Sequence, residues 1–235
     1  MRRKISDMHP GERPVAHRMS KSEPYRVDVA LPGGYEHGAE RYPLLLFLHG
    51  SGERGDDLTL VRRHGPPKLV LGAFRPLYLD PFIIVSPQCP AGEEWSEAAL
   101  IAVLDEACVA WRVDQARVYL TGLSLGGLGA WRLALAQPER FAAIAPICGR
   151  ADPAQAARLQ NVPIWIFHSA ADQVVPAAES DGMFAALVRC NADVTYTRYR
   201  RLGHAETWEA AYGSPLLYEW LLQHALTVSQ AAAGR

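Results

Sequence analysis

Ser124 sits in Gly122-Leu123-Ser124-Leu125-Gly126, which joins an apolar, β-rich run at 118–120 to a helix-like run that begins just after the serine. A strand that turns at once into a helix holds its hinge residue in a strained backbone conformation and lifts that side chain clear of both elements. Glycine two positions to either side removes the Cβ atoms that would strike the neighbouring backbone. Gly127, Gly129 and Ala130 then allow the new helix to lie close on the sheet. The start of that helix points free N–H groups and the positive end of its dipole at whatever meets the serine. The same string also fits a tight turn that merely connects two elements. The strand–turn–helix context is what favours a nucleophile.

A serine hydroxyl is a poor nucleophile at neutral pH and needs a base. Histidine suits, because its unperturbed pKa lies near neutrality. His204 is the candidate: it falls in a loop after the last expected strand, in the chain order serine, aspartate, histidine. His9, His17 and His37 precede the core, and His224 falls inside the last helix. His49 and His168 adjoin strand ends and suit holding loops by hydrogen bonds. His64 remains a competitor. The base needs a carboxylate to fix its tautomer and to stabilise the imidazolium. Asp172 follows a buried strand and is the choice, although it could instead cap the turn into Val174. Asp152, Asp181 and Glu206 are its rivals.

Acyl transfer also needs N–H donors for the developing oxyanion. The N–H of Leu125, at the helix start, is one. The glycine-rich stretch His49-Gly50-Ser51 after another strand offers the N–H of Ser51 as the second. Such a loop can hold phosphate, but no lysine–serine pair follows it as in a P-loop; it could also be a plain strand-end turn.

The elements that must position these groups are legible as periodic runs. Apolar stretches at 25–31, 44–48, 82–85, 118–120, 143–147, 164–167 and 194–199 read as strands. Helices are expected from Ser96, with Leu100, Leu104, Cys108 and Trp111 on one face, from Ser124 to near Pro138, over 177–190, and from Ser214-Pro215 to about Leu226. The alternation implies an α/β fold: a mostly parallel, doubly wound sheet of about seven to eight strands with helices on both faces and no large cap. Residues 1–24 read as a loose leader, 25–226 as one catalytic domain and 227–235 as a tail. Ligands of such sheets bind at the carboxyl ends of strands, and His49, Ser124, Asp172 and His204 all follow expected strands.

Composition narrows the partners. With 24 Lys plus Arg against 25 Asp plus Glu, neither nucleic acid nor an anionic membrane is the expected partner. The four cysteines form no C-x-x-C pair and suit a reduced, cytoplasmic protein without a metal site. No secretory signal or membrane span is visible. No cofactor is expected, and the sequence leaves the oligomeric state open.

The stretches LFLHGSGERGDD, IIVSPQCP, VYLTGLSLGG, PIWIFHSAADQVVP and GHAETW together resemble the α/β-hydrolase family over nearly the whole chain. The resemblance is to small serine esterases of the carboxylesterase, dienelactone-hydrolase-like and feruloyl-esterase-like groups. It implies hydrolysis of a small-molecule carboxylic ester through an acyl-serine, with Ser124, Asp172 and His204 catalytic and Ser51 and Leu125 donating to the oxyanion. Dienelactone hydrolases proper use a cysteine nucleophile, where this chain has Ser124. Gln88 and Trp95 match positions that often line the site in similar proteins, and core or loop packing is an equal reading of both. Trp95 and Trp208 flank motifs near the rim and could pack a short acyl or aromatic group. A peptidase or thioesterase using the same residues, or a non-catalytic binding protein on the same fold, are the alternatives. No propeller or second domain that would select peptides is legible in the sequence.

Overall fold

The computed structural model of the protein describes residues 15–19, 25–72, 75–190 and 192–227. Within them the apolar runs form β1 (Val15–Met19), β2 (Arg26–Ala30), β3 (Tyr42–Leu48), β4 (Ile83–Gln88), β5 (Val113–Leu123), β6 (Ala143–Ile147), β7 (Ile164–Ser169) and β8 (Val194–Tyr199). They make one eight-stranded sheet in the order β1-β2-β4-β3-β5-β6-β7-β8. Strands β3 to β8 are mutually parallel, and β2 runs against both of its neighbours.

The continuous run Leu44 to Leu48 explains the layering. Its side chains alternate between faces, and all five residues are fully buried. Leu44, Leu46 and Leu48 join a core with α2 (Glu97–Ala110), α3 (Leu125–Ala136) and α4 (Ala178–Arg189). Leu45 and Phe47 join a second core on the opposite face, against α5 (His204–Tyr212) and α6 (Pro215–Leu222). Each such side chain contributes about 1.5–3 kcal/mol by leaving water, so a strand apolar on both faces holds its helices on both sides. The strand order reverses across β3, since β4 lies on one side of it and β5 on the other. Their carboxyl ends, side by side, form the crevice where ligands of such sheets bind.

Several expectations are corrected in detail. Of the leader expected to be loose, Val15–Met19 pairs with β2; residues 1–14 and 20–24 lie outside the described ones, as do 228–235 of the tail. β5 starts at Val113 rather than at 118, and β4 continues through Pro87 to Gln88. Pro87 is tolerated because the ladder to β3 has already ended at Val85. Gly65-Pro66-Pro67, which reads as a breaker, opens the helix α1 (Gly65–Leu71) with prolines in its first turn, where no N–H is needed. Ser214 makes no side-chain cap, and α6 ends at Leu222 rather than near Leu226. Beyond it the chain is drawn to β5: the N–H of Leu226 bonds the carbonyl of Ala116 and the Tyr119 hydroxyl bonds that of His224.

Candidate active site

Ser124 lies between β5 and α3 with φ 54° and ψ −114°, in the positive-φ region that non-glycine residues avoid. The turn is this tight because its glycines permit it. A Cβ on Gly122 would overlap the carbonyl of Gly126, and one on Gly126 would overlap that of Leu48. The Ser124 N–H is held by the carbonyl of Ile147 at 3.0 Å, at the end of β6. The strain is therefore fixed by packing of helix, strand and neighbouring strand, and the hydroxyl stands at the crevice.

Three side chains meet there. His204 Nε2 lies 2.9 Å from Ser124 Oγ, and His204 Nδ1 lies 2.6 Å from Asp172 Oδ2. A carboxylate only accepts, so Nδ1 carries the ring proton and Nε2 is left to accept from the serine hydroxyl. The Asp172 side chain is fully buried and the His204 side chain is 12% exposed. Oδ1 of Asp172 accepts from the N–H groups of Val174 and Val175, at 2.8 and 2.9 Å. Burial pushes the Asp172 carboxyl up, but the His204 hydrogen bond and these two N–H groups outweigh it and hold it below its ordinary value. The cap that Asp172 could have made and the partnership with His204 are thus made together, by different oxygens. His204 is not in a loop as expected but is the first residue of α5, which fixes its backbone more firmly.

The rivals are spent elsewhere. Asp152 caps a 3-10 helix at Pro153–Leu159, Asp181 pairs with Arg198 and Tyr196, and Glu206 is exposed. His64 reaches Glu209 at 3.1 Å. Its ring meets Trp208 edge-on, and Trp208 in turn meets His204 edge-on, with centroids 5.0 Å apart. Trp208 therefore backs the histidine and restrains its swing.

Leu125 is the first residue of α3, so its N–H has no partner within the helix. Ser51 begins a 3-10 turn, Ser51–Glu53, at the end of β3. Among the described residues neither N–H has a hydrogen-bond partner, and both are available to an oxyanion. The Ser51 loop is built by Glu53, which sequence reasoning missed, and by His49, which reads from the sequence as a loop holder. Buried Glu53 accepts from the Gly50 N–H at 3.1 Å, and its position three residues after Gly50, as in a capping box, was the available signal. His49 accepts from the Cys89 N–H through Nε2 at 3.0 Å, so its Nδ1 carries the proton and donates to the Gly50 carbonyl.

Burial pushes His49 down to about 4, with the Gly50 hydrogen bond opposing and the charge of Arg54 adding to the effect. Between the ordinary value of 6.5 and about 4, the unfolded chain takes up a proton that the folded one refuses. Stability must therefore fall with pH across that window, by up to roughly 3 kcal/mol from this one group. Urea unfolding from neutral pH down towards 4, on the wild type and on His49→Gln, checks this. The variant should show the shallower loss, and equal slopes would refute it.

Gln88 and Trp95, expected to line the site, stand behind it. Gln88 Nε2 donates to the carbonyls of Glu53 and Asp57, and Trp95, 4% exposed, packs on Tyr25 and His49. The space beside Ser124 is instead a cavity of about 230 Å³ whose walls include Leu128, Val174 and Pro176, with Arg150 and Glu179 also lining it. Neither tryptophan reaches it. Cys148, Asp172 and His204 also bring one ligand-type atom each within 4.8 Å of one another. That donor set does not suit a metal: His204 and Asp172 are committed to each other, and burial pushes the Cys148 thiol up to about 12.

Known proteins share this framework. The family model described as the dienelactone hydrolase family matches residues 95–212, which include Ser124, Asp172 and His204. A protein of Nocardia uniformis subsp. tsuyamanensis, NocK, named as an esterase, is 38% identical over 77 residues, which are 32% of this chain and 22% of that protein. A thermostable esterase structure superposes with a TM-score of 0.76 at 27% identity, covering 91% of this chain and 63% of its own. A ferulic acid esterase gives 0.68 at 18% identity over 89% and 98% of the two chains, a likeness of fold. The chain thus spans less than two thirds of NocK and of the thermostable esterase.

Proposed function

The chain belongs to the dienelactone hydrolase family, and from that premise we propose that it hydrolyses soluble carboxylic esters through an acyl-serine intermediate. The observation that carries the reading is the unbroken row from Ser124 Oγ through His204 to Asp172, at 2.9 and 2.6 Å. His204 Nε2 takes the hydroxyl proton as Ser124 attacks the ester carbonyl, and Asp172 stabilises the imidazolium that results. The N–H groups of Leu125 and Ser51 receive the oxyanion, each worth about 10²–10³ in rate. His204 then protonates the departing alcohol, and water attacks the acyl-serine by the same route in reverse. Trp208 keeps the histidine ring in line. The four cysteines, all unpaired, support a reducing compartment such as the cytoplasm. Among the described residues no helix is long and apolar enough to cross a membrane.

The substrate follows from the space beside Ser124. A volume of about 230 Å³ is smaller than the roughly 300–1,000 Å³ of pockets that enclose drug-sized ligands. Only the first methylenes of an acyl chain gain the ~0.8 kcal/mol that burial of each provides. The connection between β6 and β7, residues 148–163, holds a single short 3-10 helix at Pro153–Leu159, too short for a helical lid. We therefore expect a preference for aromatic or short acyl groups, roughly C2 to C6 on this area argument, with no activation at an oil–water interface. In a p-nitrophenyl series from acetate to palmitate, kcat/KM should peak among the short chains. A value still rising at palmitate, or jumping above the micelle threshold, would refute the preference. A parallel screen of esters, thioesters and peptides, with Ser124→Ala as control, tests the reaction class; peptide turnover without ester turnover would overturn it.

A further inference from the structure

His168 ends the row of three in a way the mechanism above does not use. Its side chain is fully buried at the end of β7. Nε2 lies 2.9 Å from the Val175 carbonyl and 3.3 Å from Asp172 Oδ2. Both are acceptors, so Nε2 carries a proton. Nδ1 is held at 2.7 Å by the hydroxyl of Ser180, in α4. Val175 is also the residue whose N–H holds Asp172 Oδ1. The turn that presents the carboxylate is therefore closed from both ends. Asp172 grips the amide of Val175, and His168 grips its carbonyl while its own N–H dipole lies against the carboxylate.

We propose that His168 is the positioning residue for the acid of the site: anchored by α4, it locks the Asp172–Val175 turn and so fixes the plane in which Asp172 meets His204. The proposal rests on the serine-hydrolase reading above. A buried carboxylate with a loose turn would still be charged, but it would swing. The 2.6 Å bond to His204 would lengthen, and the imidazole would lose its orientation towards Ser124. Val174 and Val175 of the same turn also line the acyl cavity, so substrate affinity weakens somewhat, but the larger loss is in turnover, because the reacting histidine is misplaced.

The test compares His168→Phe, which removes both ring nitrogens, with His168→Gln, whose amide keeps a donor at the reach of Nε2. Each is read by kcat and KM separately and by the deshielded proton NMR signal of the short His204–Asp172 hydrogen bond. His168→Phe should lose kcat on the order of 10²-fold, with a smaller rise in KM, and should lose or shift that signal, and His168→Gln should recover most of both. Should the phenylalanine variant fail to fold, Ser180→Ala releases the other side of the ring. A fall in kcat larger than any rise in KM, with a lost or shifted proton signal, supports the proposal, and an unchanged kcat and proton signal overturn it. It is also overturned by a folded His168→Phe with wild-type kcat and signal, by a loss confined to KM, or by a glutamine variant no better than the phenylalanine one. Ser124→Ala run alongside separates the two levels. If that variant stays active the serine reading itself has failed; if it is inactive while His168→Phe turns over normally, only the positioning role has.

Discussion

Ser124→Ala is expected to lower turnover by about 10⁶-fold, and His204→Ala added to it should lower it little further. The size follows from the division of labour at 2.9 Å between Oγ and Nε2. Without the hydroxyl there is nothing to acylate, and without the imidazole the hydroxyl cannot shed its proton, so either loss removes the same step. What survives, about 10³–10⁴ over water, comes from the oxyanion donors and from binding. Folding should be preserved or improved: alanine keeps the N–H that bonds the Ile147 carbonyl, although the positive φ remains unfavourable for it as for serine. Steady-state kinetics of the two single variants and the double variant check this. Losses that multiply would mean that the two residues act independently.

Asp172→Asn should lower turnover by about 10⁴-fold while leaving the fold in place. The asparagine carbonyl oxygen can still accept from Val174 and Val175, as Oδ1 does now, so the turn persists. Its NH₂ then faces His204 Nδ1, where a carboxylate oxygen stood. Two donors cannot share that bond, so the ring proton moves to Nε2 and the nitrogen facing Ser124 can no longer accept. The same substitution also sets two donors against each other at His168 Nε2, now 3.3 Å from Oδ2, so a modest loss of thermal stability should accompany the loss of rate. Kinetics with thermal unfolding of Asp172→Asn, Asp152→Asn and Glu206→Gln decide the assignment. If either of the last two were the crippling change, Asp172 would not be the acid.

The sheet was legible because β3 and β6 carry unbroken apolar runs and β8 begins with an alternating one. Residues 143–147 and 194–199 fall where expected. The elbow was legible because its glycines are required by close backbone approach, a constraint that composition cannot disguise. What the sequence concealed depends on contacts far apart in the chain. Gln88 and Trp95 look alike as pocket walls or as loop props until Glu53, Asp57 and His49 are seen to hold them. His204 reads as a loop residue because α5 begins on the histidine itself, with Gly203 before it and no side-chain cap to announce a helix. His168 could be read as a loop holder, but its target could not. It lies four residues before Asp172, and only the return of the turn through Val175 brings its Nε2 against the carboxylate.

The central claim is that turnover passes through one covalent acyl group on Ser124, and acid quenching during turnover of a slow aromatic ester, followed by intact and peptide mass spectrometry, tests it most directly. The prediction is a single acyl adduct, located on the peptide that carries Ser124 and absent from Ser124→Ala. An adduct on Cys148, whose thiol lies within 4.8 Å of the ligand atoms of Asp172 and His204, or full turnover by a chain that never carries an adduct on Ser124, would contradict it.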